Sequence, residues 1–263
     1  MTVPVALLAL WLAAAGVMLL GWAWQRRHAN AGIVDVLWSG GLGVGAVFLG
    51  IVGDGARAPR MLLALLGGAW SARLALHLWA RVRREGEDGR YRHLRSLWGA
   101  SPWRWLAFFQ FQALLIPAFA LPFAAVAVNP VSSPAWLAAA VAIWGLSVAG
   151  EALADLQLAR FRAETANRGR TCRQGLWRYC RHPNYFFEWL HWFAYVALAA
   201  GSPLWGLAWL GPLLMWVFLR FLSGVPWTEA QALRSRGDDY RDYQRRTPMF
   251  FPWFPRRLSN TRS

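Results

Sequence analysis

Residues 3–24, VPVALLALWLAAAGVMLLGWAW, carry no ionisable side chain and run directly into Gln25-Arg26-Arg27. A helix over such a stretch is about 33 Å long, enough to cross the hydrocarbon core of a bilayer. No basic region precedes it and no small-residue cleavage site follows, so it reads as a membrane span and not as a removable signal peptide. Working outward, stretches of the same kind fall at 33–52, 59–80, 105–127, 134–154, 184–200 and 203–222. The last two are separated only by Gly201-Ser202-Pro203, which predicts a tight helical hairpin. The expected fold is therefore all-α: one integral membrane domain over 1–263, built as a seven-transmembrane-helix bundle.

Composition supports this. The chain is 57% hydrophobic and 16% charged, against about 25% charged in a typical soluble domain. That excludes a disordered chain and argues against an ordinary soluble enzyme. Cys172 and Cys180 are the only cysteines, so no disulfide framework is expected. A net charge of +15, carried on the basic side entirely by arginine, leaves nucleic acid or membrane as the explanation. The arginines decide between them. Segments 25–32, 81–104, 155–183 and 223–263 hold 24 of the 28, and these are alternate connections plus the C-terminal tail. The opposite face holds only Arg57 and Arg60, while Arg73 and Arg220 sit inside spans near their basic ends. The positive-inside rule then puts the N-terminus outside and the C-terminus in the cytosol, and no nucleic-acid partner is expected. The tail 248–263 is expected at the surface. Gly40, Gly41, Gly43 and Gly45 lie inside an apolar span with no strand before them, so they predict close helix packing and not a dinucleotide loop.

Ionisable groups inside membrane spans are costly and mark function. Asp35, Arg73, His77, Glu151, Asp155, Glu188, His191 and Arg220 all fall in the cytosolic halves of their spans. Arg73, His77, Arg81 and Arg84 follow helical spacing along one face, and Glu151/Asp155 and Asn184/Glu188 are i, i+4 pairs. Arginines near helix ends also snorkel to headgroups, an alternative that stays open for Arg81 and Arg84. Carboxylates gain nothing at an anionic leaflet, so the mixture predicts a polar cavity open to the cytosol. Arginine forks suit phosphate, and carboxylates suit ribose hydroxyls or an amide, which together suit a large anionic nucleotide cofactor. Other chemistries are disfavoured by inventory. There is no His-x-x-His cluster, P-loop, Gly-x-Ser-x-Gly or thiol pair at metal spacing, and no metal is expected.

The segment 175–189, GLWRYCRHPNYFFEW, is the most distinctive in the chain. It resembles the signature of the steroid 5α-reductase superfamily, in particular its bacterial branch. Similar matches occur at 30–38, from Arg73-Leu74 through 87–91, at Glu151 to Asp155, at 223–226 with Glu229, at Tyr240 and Tyr243, and at 247–252. Nearly the whole chain is covered. The Arg-His-Pro-x-Tyr core is shared with isoprenylcysteine carboxyl methyltransferases and sterol C14-reductases, so it marks the superfamily better than the reaction.

In the reductases the resemblance implies NADPH in the cytosolic half of the bundle and hydride transfer to the β-carbon of an enone. Asn184 and Glu188 match cofactor ligands, with Glu188 also a catalytic candidate. Asp155 and Arg162 match an Asp and Arg seven residues apart. Arg73, His77 and Arg84 fall at the spacing of an Arg-Tyr-Arg set, His77 replacing the tyrosine. Arg81, Asp88, Arg90, Tyr91, Glu151, Arg178, His182, Tyr185, Glu229 and Tyr240 complete the expected cofactor side. On the substrate side, Trp70 stands where the family has a tyrosine, and Asp35 loosely matches the carboxylate that holds the ketone. Trp38, one turn on, is a candidate slot wall, and Phe187 stands where glycine is usual. Asp35 kept protonated in low dielectric would serve as a catalytic acid. A helix-start carboxylate stabilised by the helix dipole is an equal alternative.

The expectation is an NADPH-dependent reductase acting on a 3-oxo-Δ4 steroid or similar planar lipid enone that enters from the bilayer. The site would face the cytosol from a bacterial inner membrane. The alternative is an S-adenosylmethionine-dependent methyltransferase of the isoprenylcysteine type, whose cofactor bears no phosphate and leaves the arginine-rich segments unused. A non-catalytic lipid or sterol binder is a third class, and it has no need of carboxylate pairs at the cytosolic mouth.

Overall fold

A computed structural model describes residues 1–256, and residues 257–263 of the expected surface tail lie outside them. Among the described residues the chain is helical with no strand. In order come α1 (Val3–His28), α2 (Ile33–Val52), α3 (Arg57–Arg84), α4 (Gly89–Trp98), α5 (Pro102–Phe119), α6 (Leu121–Ala127) and α7 (Pro134–Ala163). Then follow α8 (Pro183–Leu190), α9 (Trp192–Leu198), α10 (Trp205–Ala208), α11 (Leu210–Val217), a π-helical turn over Phe218–Leu222, and α12 (Val225–Arg246). Six stretches among the described residues are long and apolar enough to cross a membrane: Val3–His28, Ile33–Val52, Arg57–Arg84, Pro102–Ala127, Pro134–Ala163 and Trp205–Arg246.

The stretch 184–200, expected as one further span, is divided into α8 and α9 at His191. There the His191 Nδ1 donates to the Glu188 carbonyl at 2.8 Å. That carbonyl is also the acceptor the Trp192 N–H takes in a continuing α-helix.

The chain packs as two compact units. The first comprises Met1–Val141 and Tyr195–Gly211. Here α2 packs chiefly on α3, and α1 on α5. The α2–α3 seam is made of small residues: a Cβ on Gly43 would run into the Ser71 side chain, and one on Gly50 would lie 2.9 Å from the Arg60 carbonyl. Gly41 and Gly45 face Ile116 and Leu10 in the same way, as the glycine-rich stretch predicts, whereas Gly40 meets nothing. The Ser71 hydroxyl donates across the seam to the Ser39 carbonyl. At the arginine-poor end, Arg60 spans the last carbonyls of α2 with bonds to Gly50 and Ile51, both 3.3 Å, and to Gly53. Buried Asn129 donates to the Leu198 and Ala200 carbonyls at 2.8 and 3.1 Å, tying the 128–133 loop to the turn after α9. In that turn Gly201 has φ +96, and a Cβ would press on Val131, so the hairpin needs glycine.

The second unit comprises Ala142–Ala194 and the described residues from Pro212 onward. The loop after α7 is pinned by the Trp177 indole, which donates to the Ala154 carbonyl at 2.9 Å. Tyr243 of α12 donates its hydroxyl to the Trp177 carbonyl and also reaches Cys180. Past α12 the chain returns along this loop: Arg181 N–H bonds the Pro248 carbonyl at 2.9 Å and Trp253 N–H the Tyr179 carbonyl at 2.9 Å. The tail is exposed over Phe251–Phe254 as expected, but Phe250 is buried.

Candidate functional site

In the first unit the site grows from two adjacent polar joints. Asp35 sits in the first turn of α2, while Asp88 caps α4 by accepting from Arg90 N–H at 2.8 Å. This cap aims the next two side chains at Asp35: Arg90 donates to Oδ2 at 3.0 Å and the Tyr91 hydroxyl to Oδ1 at 2.7 Å. Asp88 also takes Arg90 Nε at 3.2 Å and a close ion pair from Arg81. One residue earlier, Glu87 accepts both edges of the Arg95 guanidinium at 2.6 and 2.8 Å, and the Ala31 N–H at 2.9 Å. Arg95 in turn covers the Trp105 ring.

Both oxygens of Asp35 accept hydrogen bonds, Oδ2 from the Arg90 guanidinium and Oδ1 from the Tyr91 hydroxyl. Tyr91 is 4% exposed. Burial above all, then the Asp35 charge, pushes its phenol well above the usual range. Burial opposes the charge on Arg90, but Asp35 and Asp88 outweigh it and hold the guanidinium more firmly protonated. Asp88 is held below its ordinary value because Arg90 and Arg81 overcome the burial that would raise it.

Along the stripe expected on α3, Arg81 pairs with Asp88 and Glu85, Arg73 is half-buried, and His77 and Arg84 are exposed. Trp70 is buried at 1% exposure, and Trp38 is half-buried against Phe119 in an edge contact at 5.3 Å. The Trp38 indole nitrogen is shielded from solvent with no hydrogen-bond partner, so a donor stands uncommitted one turn from Asp35.

In the second unit the signature loop supplies Arg181 and His182 to Glu229 on α12. Glu229 Oε1 accepts Arg181 Nε at 2.8 Å, His182 Nε2 at 3.2 Å and the Tyr240 hydroxyl at 3.3 Å, and Oε2 accepts Gln244 Nε2 at 2.9 Å. His182 lies flat on the Tyr185 ring at 5.4 Å, and the Tyr185 hydroxyl meets Thr228 at 3.0 Å. Burial holds His182 below its ordinary value, with Glu229 opposing only in part, so the ring is neutral near neutral pH. Pro183 starts α8, and Asn184 one residue on donates to Asp155 of α7 at 3.3 Å, joining the two expected cofactor-side pairs. Glu151 and Glu188 are half-buried, and Arg178 and Arg162 are exposed. Phe187 is accommodated because its ring lies over Gly150, where any Cβ would collide with it.

Sequence reasoning missed Arg236. It lies over the Tyr240 ring at 5.2 Å, and burial, with the Arg162 charge a lesser cause, holds its guanidinium below the usual value. Its position on a mixed-charge helix gave no signal in the sequence. No group of three or more metal-ligating side chains occurs among the described residues.

A family described as "Protein of unknown function (DUF1295)" matches residues 21–247. The chain belongs to the DUF1295 family. The match covers both centres, from Asp35 to Tyr240, and nearly all of the motifs that carry the superfamily resemblance. No curated protein and no solved structure matches the chain.

Proposed function

We propose that this DUF1295 chain is an integral membrane reductase that uses NADPH to reduce the activated C=C bond of a planar lipid enone such as a 3-oxo-Δ4 steroid. The sidedness belongs to the same proposal: N-terminus outside, arginine-rich segments and cofactor site in the cytosol, and the divided α8–α9 segment as the seventh crossing. The observation that carries it is the joint between Asn184 of the signature segment and Asp155 of α7 at 3.3 Å, two residues that the superfamily resemblance makes cofactor ligands. Arg162, a ligand by the same resemblance, is the cation we assign to the dinucleotide's phosphates. Asp155 and Asn184 offer amide and carboxylate groups of the kind that read a ribose or carboxamide.

Bound NADPH would supply the hydride. The chain's own part is to bind and orient, and to hold a proton donor. For the second role we choose Tyr91 over Asp35: burial and the Asp35 charge keep its hydroxyl protonated, and that hydroxyl, which donates to Asp35 in the free protein, turns to the substrate oxygen when the enone binds. A phenol donating toward a developing enolate stabilises charge that the ground state lacks, an effect worth a few kcal/mol, roughly 3. The methyltransferase alternative leaves the arginine-rich segments without a phosphate to bind.

The test is a thermal-shift titration of the purified protein with NADPH, NADH and S-adenosylmethionine. NADPH should stabilise most, by RT ln(1 + [L]/Kd), or about 2.7 kcal/mol at a hundredfold excess over Kd. Stabilisation by S-adenosylmethionine alone would overturn the reductase reading.

A further inference from the structure

Where α1 and α3 end, a cleft of about 720 Å³ opens that the reductase reading does not use. Trp24 and His28 form one wall, stacked at 4.1 Å and 14°. Trp79 forms the other, 6.3 Å from Trp24. Arg83 and Glu85 line the mouth, with the Arg83 guanidinium 5.9 Å from the Trp79 ring. Glu87 also borders the cleft but is spent on Arg95 and the Ala31 N–H. Glu85 is not spent: its side chain is 68% exposed, with a single long pairing to Arg81 at 3.5 Å.

We propose that this cleft binds the headgroup of a phospholipid that carries both a phosphate and a primary ammonium. Both helices are long and apolar enough to span a bilayer, so their ends lie at headgroup depth, where tryptophan rings contact glycerol and the first methylenes. Arg83 donates to the phosphate. Glu85, two residues on, receives the ammonium, and the Trp24 and Trp79 faces favour a cation near them. The same carboxylate repels a lipid whose only charge is negative. A nucleotide fits less well, because several phosphates would face one guanidinium and one unspent carboxylate. The cleft volume falls within the range of small-molecule sites.

The experiment is native mass spectrometry of the full-length protein released from mixed micelles. The probes are phosphatidylethanolamine, phosphatidylglycerol and, as a soluble competitor, phosphoethanolamine. Wild type should retain phosphatidylethanolamine about tenfold better than phosphatidylglycerol, and Arg83→Gln should lower that retention about tenfold. Glu85→Gln should abolish the preference while keeping retention. Both side chains are exposed, so neither change threatens folding. Equal retention of the two lipids by wild type, or an Arg83→Gln protein that retains lipid unchanged, overturns the proposal. Displacement of the lipid by equimolar phosphoethanolamine also overturns it, because the site would then read a free phosphate ester and not a lipid.

Discussion

Replacing Glu229 by glutamine preserves shape and removes one charge from a carboxylate that serves four donors. Two of those bonds, to Arg181 and Gln244, are 2.8 and 2.9 Å. The side chains of Arg181 and Glu229 are only 11% and 16% exposed, so water screens the pair little. Removing one partner of a buried pair costs about 3–5 kcal/mol. Here the loss is smaller, because Arg181 keeps its bonds to the Gln244 and Thr247 carbonyls and glutamine still offers one acceptor. The expected destabilisation of Glu229→Gln is about 2–3 kcal/mol. For a chain of this size that lowers Tm by roughly 5–10 °C. Intrinsic-fluorescence melting in detergent at one fixed scan rate measures it, with Asp238→Asn as control because Asp238 is 94% exposed. Tyr240→Phe combined with Glu229→Gln should be less than additive, since both remove the same bond. A Tm change under about 2 °C, or one equal to the control's, would refute the claim that Glu229 organises the signature loop.

Three further outcomes follow from the same structure. Burial lowers the His182 value from 6.5, so the unfolded chain takes up that proton first. Stability is then full above about pH 6.5 and declines as pH falls through that value toward the folded one; His182→Gln should flatten this part of a pH series of denaturation midpoints. Burial pushes the Cys180 thiol up to about 12 and raises Cys172 as well, so neither should react with maleimide at pH 8 until the protein is unfolded. Gly201→Ala should cost about 2 kcal/mol, read as a lower Tm, because alanine resists φ +96 and its methyl group would meet Val131.

What the sequence made legible was whatever depends on composition over a long window. The apolar stretches and their arginine-rich ends mark six of the expected spans, because α1, α3 and α7 each end in arginines. The glycines of α2 were readable as a seam because small residues at a helix interface have few other uses. The break at His191 was not readable, since the stretch 184–200 is apolar enough on average to read as one span and no proline or glycine marks the division between α8 and α9. Spacing along one helix puts Arg73, His77, Arg81 and Arg84 on one face, but it could not show that Arg81 pairs with Asp88, a residue beyond the helix end. Asp35 stands out in the sequence as a carboxylate inside a span, but its partners Arg90 and Tyr91 lie 55 and 56 positions away.

The reaction itself is tested most directly by isotope transfer. The full-length protein in liposomes is given NADPH deuterated at the transferable position, together with a 3-oxo-Δ4 steroid, and the products are read by mass spectrometry. The account predicts a saturated ketone carrying one deuterium at the former β-carbon, formed more slowly by Tyr91→Phe. An unreacted enone with NADPH, and a product methylated when S-adenosylmethionine is supplied, would contradict it.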